Sequence, residues 1–105
     1  MEKLQEVMEM RELVTQIAKA LVDAPEEVTL DLVEREGATA LRVRAARADV
    51  GKLIGKQGRT ARSIRTILGA VGMKYHHRFT LDIVEEHSEA PSGRVEFAQA
   101  RWLGA

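Results

Sequence analysis

Apolar residues near the start of the chain recur at helical spacing. Met10, Leu13, Val14, Ile17 and Leu21 fall three or four positions apart, which predicts a first helix from about Glu6 to Val22 with one apolar stripe. Asp23-Ala24-Pro25 ends it, because proline biases the residue before it away from helix. Met8 and Met10 are alternative start points, and residues 1–6 are expected to be loosely ordered.

The period then changes to two. Val28, Leu30 and Leu32 alternate with Thr29 and Asp31, and Leu41, Val43 and Ala45 alternate with Arg42 and Arg44. Glu34-Arg35-Glu36-Gly37 reads as the hairpin turn between these strands, with Gly37 at positive φ. Asp49 is placed to cap a short second helix ending near Ile54. A third helix spans roughly Arg59 to Val71, with Gly72 as its stop. Phe79 to Val84 alternates again as a last strand. The order is α-β-β-α-α-β, an α+β class with a three-stranded sheet and helices on one face. Arg42, Arg44 and Asp82 are expected on the open face. Residues 1–87 form the domain, and 88–105 read as a linker and weakly helical tail in which Val95, Phe97 or Ala98, and Trp102 make a small apolar face.

Composition narrows the function. The 105 residues suffice for one core, with 45% hydrophobic and 30% charged residues, as in an ordinary globular domain. There is no run of ~18–20 apolar residues, so no membrane insertion is expected. The absence of cysteine removes disulfides and thiolate metal sites, and a cytoplasmic location is the expectation. The net charge of zero conceals a segregation. Residues 1–36 carry ten acids against four bases, whereas residues 37–79 carry ten bases against Asp49 alone. Such a block is an electrostatic footprint for a polyanion.

The block is centred on Leu53-Ile54-Gly55-Lys56-Gln57-Gly58-Arg59-Thr60. Two glycines three apart permit a tight turn and a close approach by another backbone. The helix that follows aims its unpaired amides at the turn. This is the arrangement with which KH domains clamp a sugar–phosphate strand. Lys52 and Lys56 supply charge for phosphates, and Gln57 supplies a neutral hydrogen-bonding group. Arg59 and Arg62 project from the side of the third helix opposite the apolar arc Ala61, Ile64, Ile67, Leu68 and Val71, with Arg65 at the boundary. Val50 and Ile54 are candidates for an apolar floor beneath the bases. Aromatic residues are only 4% of the chain, so stacking platforms are a poor model for recognition.

Catalytic alternatives fail on spacing. Gly51-Lys52-Leu53-Ile54-Gly55-Lys56-Gln57 has three residues between its glycines where a nucleotide-hydrolysing P-loop has four, and Gln57 stands where that loop has Ser or Thr. His76-His77 and His87 have no acidic or cysteine partner at ligand spacing, so a solvated strand end is the reading and no metal or cofactor is expected. The chain reads as a binding module, not an enzyme.

The stretch Asp49-Val50-Gly51-Lys52-Leu53-Ile54-Gly55-Lys56-Gln57-Gly58-Arg59-Thr60-Ala61 resembles the signature of the small bacterial KH-domain proteins of the KhpA (YlqC) family. Leu21-Val22-Asp23-Ala24-Pro25-Glu26-Glu27-Val28 is similar to that family's first helix end and first strand. The resemblance covers roughly residues 10–84 and implies a type II KH fold with Gly55, Lys56, Gln57 and Gly58 in the RNA clamp. It also implies single-stranded RNA as ligand, pairing with a KhpB (Jag, EloR)-type protein or a second copy, and roles in post-transcriptional control and cell elongation and division. Pairing through the same helices would compete with RNA for Ile54 to Arg65. Residues 88–105 extend beyond the family's usual ending.

Overall fold

The computed structural model describes residues 2–85, with side chains from Leu4 onward. The expected tail over 88–105, and His87 with it, lies outside the described residues. Helix α1 runs Glu2–Leu21, one turn earlier than its stripe predicts. Val7, Met10, Val14 and Ala18 form its buried face, while Leu13 and Leu21 are 38% and 40% exposed. Small Ala18 belongs to this buried face, so the core stripe is rotated from the one its largest residues mark out. A 3₁₀ turn over Pro25–Glu27 follows, closed by the Val28 N–H donating to the Pro25 carbonyl at 3.1 Å.

Strands β1 (Thr29–Arg35) and β2 (Ala38–Ala45) form the predicted antiparallel hairpin. Its loop is Glu36-Gly37, and Gly37 takes φ 72°. Strand β3 (Arg78–Glu85) pairs parallel to β2, giving the order β1-β2-β3. A parallel return needs a crossover, which helices α2 (Arg47–Ile54) and α3 (Arg59–Tyr75) provide. Leu30, Leu41, Val43, Leu81 and Ile83 pack from the sheet into one core with Val14, Ala18, Leu53, Ile64 and Leu68 from the helices. The fold is thus the α-β-β-α-α-β arrangement with helices on one face.

On the other face, Asp31, Arg42 and Asp82 fall in one row across the three strands. Arg44 Nε donates to Asp31 at 2.8 Å, and Arg42 lies 3.9 Å from Asp82. Opposite charges alternate along the row, which avoids the repulsion of like charges on neighbouring strands. Asp82 is buried, contrary to the expectation of an open position.

Three local readings need correction. Asp49 is not the cap of α2: the helix begins at Arg47, with Ala46 in the cap position. Asp49 instead lies in the first turn, 2% exposed. Helix α3 does not stop at Gly72 but at Tyr75, where His76 turns left-handed at φ 56°. Gly72 is buried within the helix, and a Cβ there would sit 2.5 Å from the His77 carbonyl oxygen. Ile67 is not core; it is 46% exposed.

Candidate nucleic-acid interface

The segment between α2 and α3 is built from an unusual run of backbone angles. Leu53 and Ile54 are buried and anchor the end of α2. Gly55 follows at φ 81°, ψ 167°, a region open essentially to glycine alone. Gln57 and Gly58 are both left-handed, at φ 57° and 75°. The Gly58 N–H closes the turn onto the Gly55 carbonyl at 3.0 Å. A second constraint acts on Gly55: a Cβ would collide with the Thr60 hydroxyl and approach the Thr60 backbone nitrogen at 2.8 Å. The turn is therefore locked from both sides.

This geometry presents Lys56 and Gln57 as exposed side chains at the tip, immediately before α3. The Arg59 N–H donates to the Lys56 carbonyl, while the amides that follow it in the first turn of α3 have no partner within their own helix and carry partial positive charge. Arg59 and Arg62 are exposed on the first turns of the same helix. Gly55, Lys56, Gln57, Gly58, Arg59 and Arg62 are thus brought together as expected.

The other expected residues are placed differently. Ile54 is only 5% exposed and belongs to the core, so Val50, half-buried, is the nearer wall of any groove. Lys52 Nζ lies 3.3 Å from Asp23 and 3.6 Å from Asp49. Those two carboxylates raise its pKa above the usual lysine value. Arg65 is half-buried and donates Nη2 to the Leu81 carbonyl at 2.7 Å. Burial holds its pKa below the usual arginine value, opposed by Asp82.

Asp49 proves to be a positioning residue that its sequence position did not reveal. Its carboxylate accepts from the backbone N–H groups of Asp23 at 3.2 Å and Ala24 at 3.0 Å. It therefore ties the end of α1 to the helix that leads into the Gly55–Gly58 turn. Burial opposes its charge, but those two N–H groups and Lys52 prevail and hold its pKa below the usual aspartate value. The available signal was its solitude as the one acid in the basic block. His77 is likewise more than a solvated strand end: Nε2 hydrogen-bonds Thr39 Oγ1 at 2.7 Å and the ring meets Phe79 edge-on. Among the described residues no group of three potential ligands could hold a metal ion. No described helix is long and apolar enough to cross a membrane.

A three-stranded sheet with a parallel β2–β3 pair, helices on one face and a Gly-x-x-Gly turn joining two of them defines a KH domain of type II topology. Comparison with known proteins narrows the class. Residues 11–83 match the family model described as KhpA/KhpB, KH domain, and the chain belongs to that family. It is 47% identical over 74 residues to the RNA-binding protein KhpA of Borreliella burgdorferi, covering 70% of this chain and 90% of that protein. It is 43% identical over 75 residues to RNA-binding protein KhpA of Clostridium acetobutylicum, covering 71% of this chain and all of the relative. The match to the Chlamydia trachomatis protein of the same name is 42% over 77 residues, or 73% of this chain and 99% of the relative. No solved structure matches.

Proposed function

We propose that this protein binds single-stranded RNA through the Gly55–Gly58 turn. Lys56 neutralises a phosphate, Gln57 hydrogen-bonds phosphate or sugar, and Arg59 and Arg62 follow the strand along α3. The carrying observation is the set of positive-φ residues Gly55, Gln57 and Gly58, which exposes Lys56 and Gln57 at a helix N-terminus inside the basic block. The names of the relatives support the same ligand. In the cell the protein acts in post-transcriptional control linked to elongation and division, paired with a KhpB-type partner in the cytoplasm. A second reading, in which this surface mainly docks a partner or second copy, is favoured by Ile67, an apolar side chain 46% exposed on α3.

Fluorescence anisotropy of labelled single-stranded RNA separates the two. Lys56→Asp with Gln57→Asp changes the clamp by three charge units. At about 1 kcal/mol per unit pair at 4 Å in water, roughly 3 kcal/mol is lost, more than a hundredfold in Kd. The fold should survive, because both side chains are exposed and Asp tolerates the left-handed angle at 57 better than Gln. Contact with three to five phosphates gives a log–log salt slope of about −2 to −3.5. Binding with no salt dependence, or unchanged in the double variant, would falsify the clamp.

A further inference from the structure

The face of the sheet turned away from the helices is more covered than its position accounts for. Strand β3 lies at one edge of the sheet and β1 at the other, with β2 between them. Asp31 and Asp82 end the same row at those two edges, yet their side chains are 51% and 10% exposed. Arg65, donating to the Leu81 carbonyl, flanks the β3 edge and accounts for part of the difference.

Val84 sharpens the asymmetry. It alternates with Ile83, which points into the core, and so lies on the same face as Asp82, beside Arg44 of β2. It is only 6% exposed, and among the described residues it is the one buried apolar side chain that is not part of the core. The helices pack on the opposite face and do not bury it. On the other side of the Asp31–Arg42–Asp82 row, Val33, Ala40 and Thr80 form a row that is half-buried and uncharged. A sheet face left to water carries polar residues instead.

The chain holds a segment long enough to reach this face. Residues 86–105 follow directly on β3, the strand whose outward side chains are covered, and they include Val95, Phe97, Trp102 and Leu103. Fully extended, residues 86–93 reach about 26 Å at ~3.3 Å per residue, which is the length of β3 itself. Residues 94–103 span about 15 Å even at the short rise of a helix, against a width of about 10 Å for three strands. Arg94, Glu96 and Arg101 in the segment find counter-charges in the alternating Asp31–Arg42–Asp82 row. A tethered segment also meets the face at an effective concentration of about millimolar, ahead of a second molecule in dilute solution.

We propose that the open face of the sheet is the seat of this chain's own residues 94–103, with Trp102 and its apolar neighbours covering Val84, Ala40 and Val33. The sheet is then buried on both sides, by the helices on one and by the C-terminal segment on the other. The proposal is independent of what the Gly55–Gly58 turn binds.

Trp102 is the chain's one tryptophan, so its fluorescence in the full-length protein reports on the segment alone. Wild-type emission should lie well to the blue of the urea-unfolded chain and resist quenching by acrylamide. Val84→Ser should shift it to the red and raise quenching while circular dichroism shows the domain still folded. Ala40→Gln, on the same face and away from the core, should do the same and serves if Val84→Ser does not fold. Met73→Ser, on the exposed side of α3, should leave the emission unchanged. Val84→Ser and Trp102→Ser should each lower Tm by at least about 4 °C. The double variant should fall no further than the larger single effect, because both break one contact. Wild-type emission equal to that of the unfolded chain overturns the proposal, as do additive Tm losses or a shift caused by Met73→Ser and not by Val84→Ser. Burial of Trp102 that appears only as a concentration-dependent dimer in sedimentation velocity assigns the face to a second copy and overturns it too.

Discussion

Replacing Gly55 by alanine tests whether the clamp is a rigid part of the fold or a loop that can yield. Gly55 stands at φ 81°, ψ 167°, where an L residue costs about 1–3 kcal/mol. Its new methyl group would also meet Thr60, including the backbone nitrogen at 2.8 Å. A side chain can rotate away, but the nitrogen belongs to the first turn of α3 and cannot move alone. Overpacking of this kind costs a further ~1–3 kcal/mol. The stiffer unfolded chain offsets about 0.4–1 kcal/mol. The net loss is centred near 3 kcal/mol, a large share of a typical ~5–15 kcal/mol, and at ~4–8 °C per kcal/mol it lowers Tm by at least about 10 °C. The control is Gly51→Ala in α2, one turn before Gly55, where a Cβ meets nothing within 4 Å and about 0.5–1 kcal/mol should be gained. Thermal unfolding followed by circular dichroism measures both. A Gly55→Ala protein melting within 2–3 °C of wild type would mean that the turn relaxes, and the rigid-clamp reasoning would be wrong.

Other outcomes follow from the same structure. Gly69→Ala should raise stability by about 0.5–1 kcal/mol, whereas Gly72→Ala should lower it because the His77 carbonyl blocks its methyl group; urea denaturation of the pair reads the difference in sign. The Asp49 pKa is depressed in the fold, so its stabilisation is complete above the ordinary aspartate value near ~3.9 and is lost as pH falls through the lower folded value. Wild type should therefore lose stability more steeply than Asp49→Asn below about pH 4, and parallel acid profiles would contradict the anchor. Leu68→Ala, at 1% exposure, should cost about 2–5 kcal/mol while leaving RNA affinity intact at temperatures where the variant is folded.

Local patterns carried the element order and the position of the Gly55–Gly58 turn. The switch from helical to alternate spacing located the hairpin, and the two glycines with Lys56 and Gln57 located the exposed tip. What escaped were contacts between distant segments. Asp49 is satisfied by backbone groups 25 and 26 residues earlier, so it looked like a local helix cap. Gly72 looked like a helix stop because the carbonyl pressing on it comes from beyond the helix end. The core face of α1 turns on Ala18, a residue too small to stand out in a pattern weighted by large side chains. Ile67 has the right spacing for burial on α3, but the sheet beneath is filled by Ala61, Ile64 and Leu68.

The parallel pairing of β2 with β3 has a kinetic consequence. Ala38 pairs with Arg78 and Ala45 with Glu85, so every rung of that ladder closes a loop of forty residues. The β1–β2 hairpin closes over a loop of two and should assemble early, since short loops lose less entropy. Completing the sheet must wait until α2 and α3 have folded the long segment back, and the clamp lies in the middle of that segment. A ligand seated there would brace the two helices against each other and lower the entropy lost in joining the last strand. Bound RNA should then speed the docking of the last strand, coupling occupancy of the turn to the stability of the whole domain.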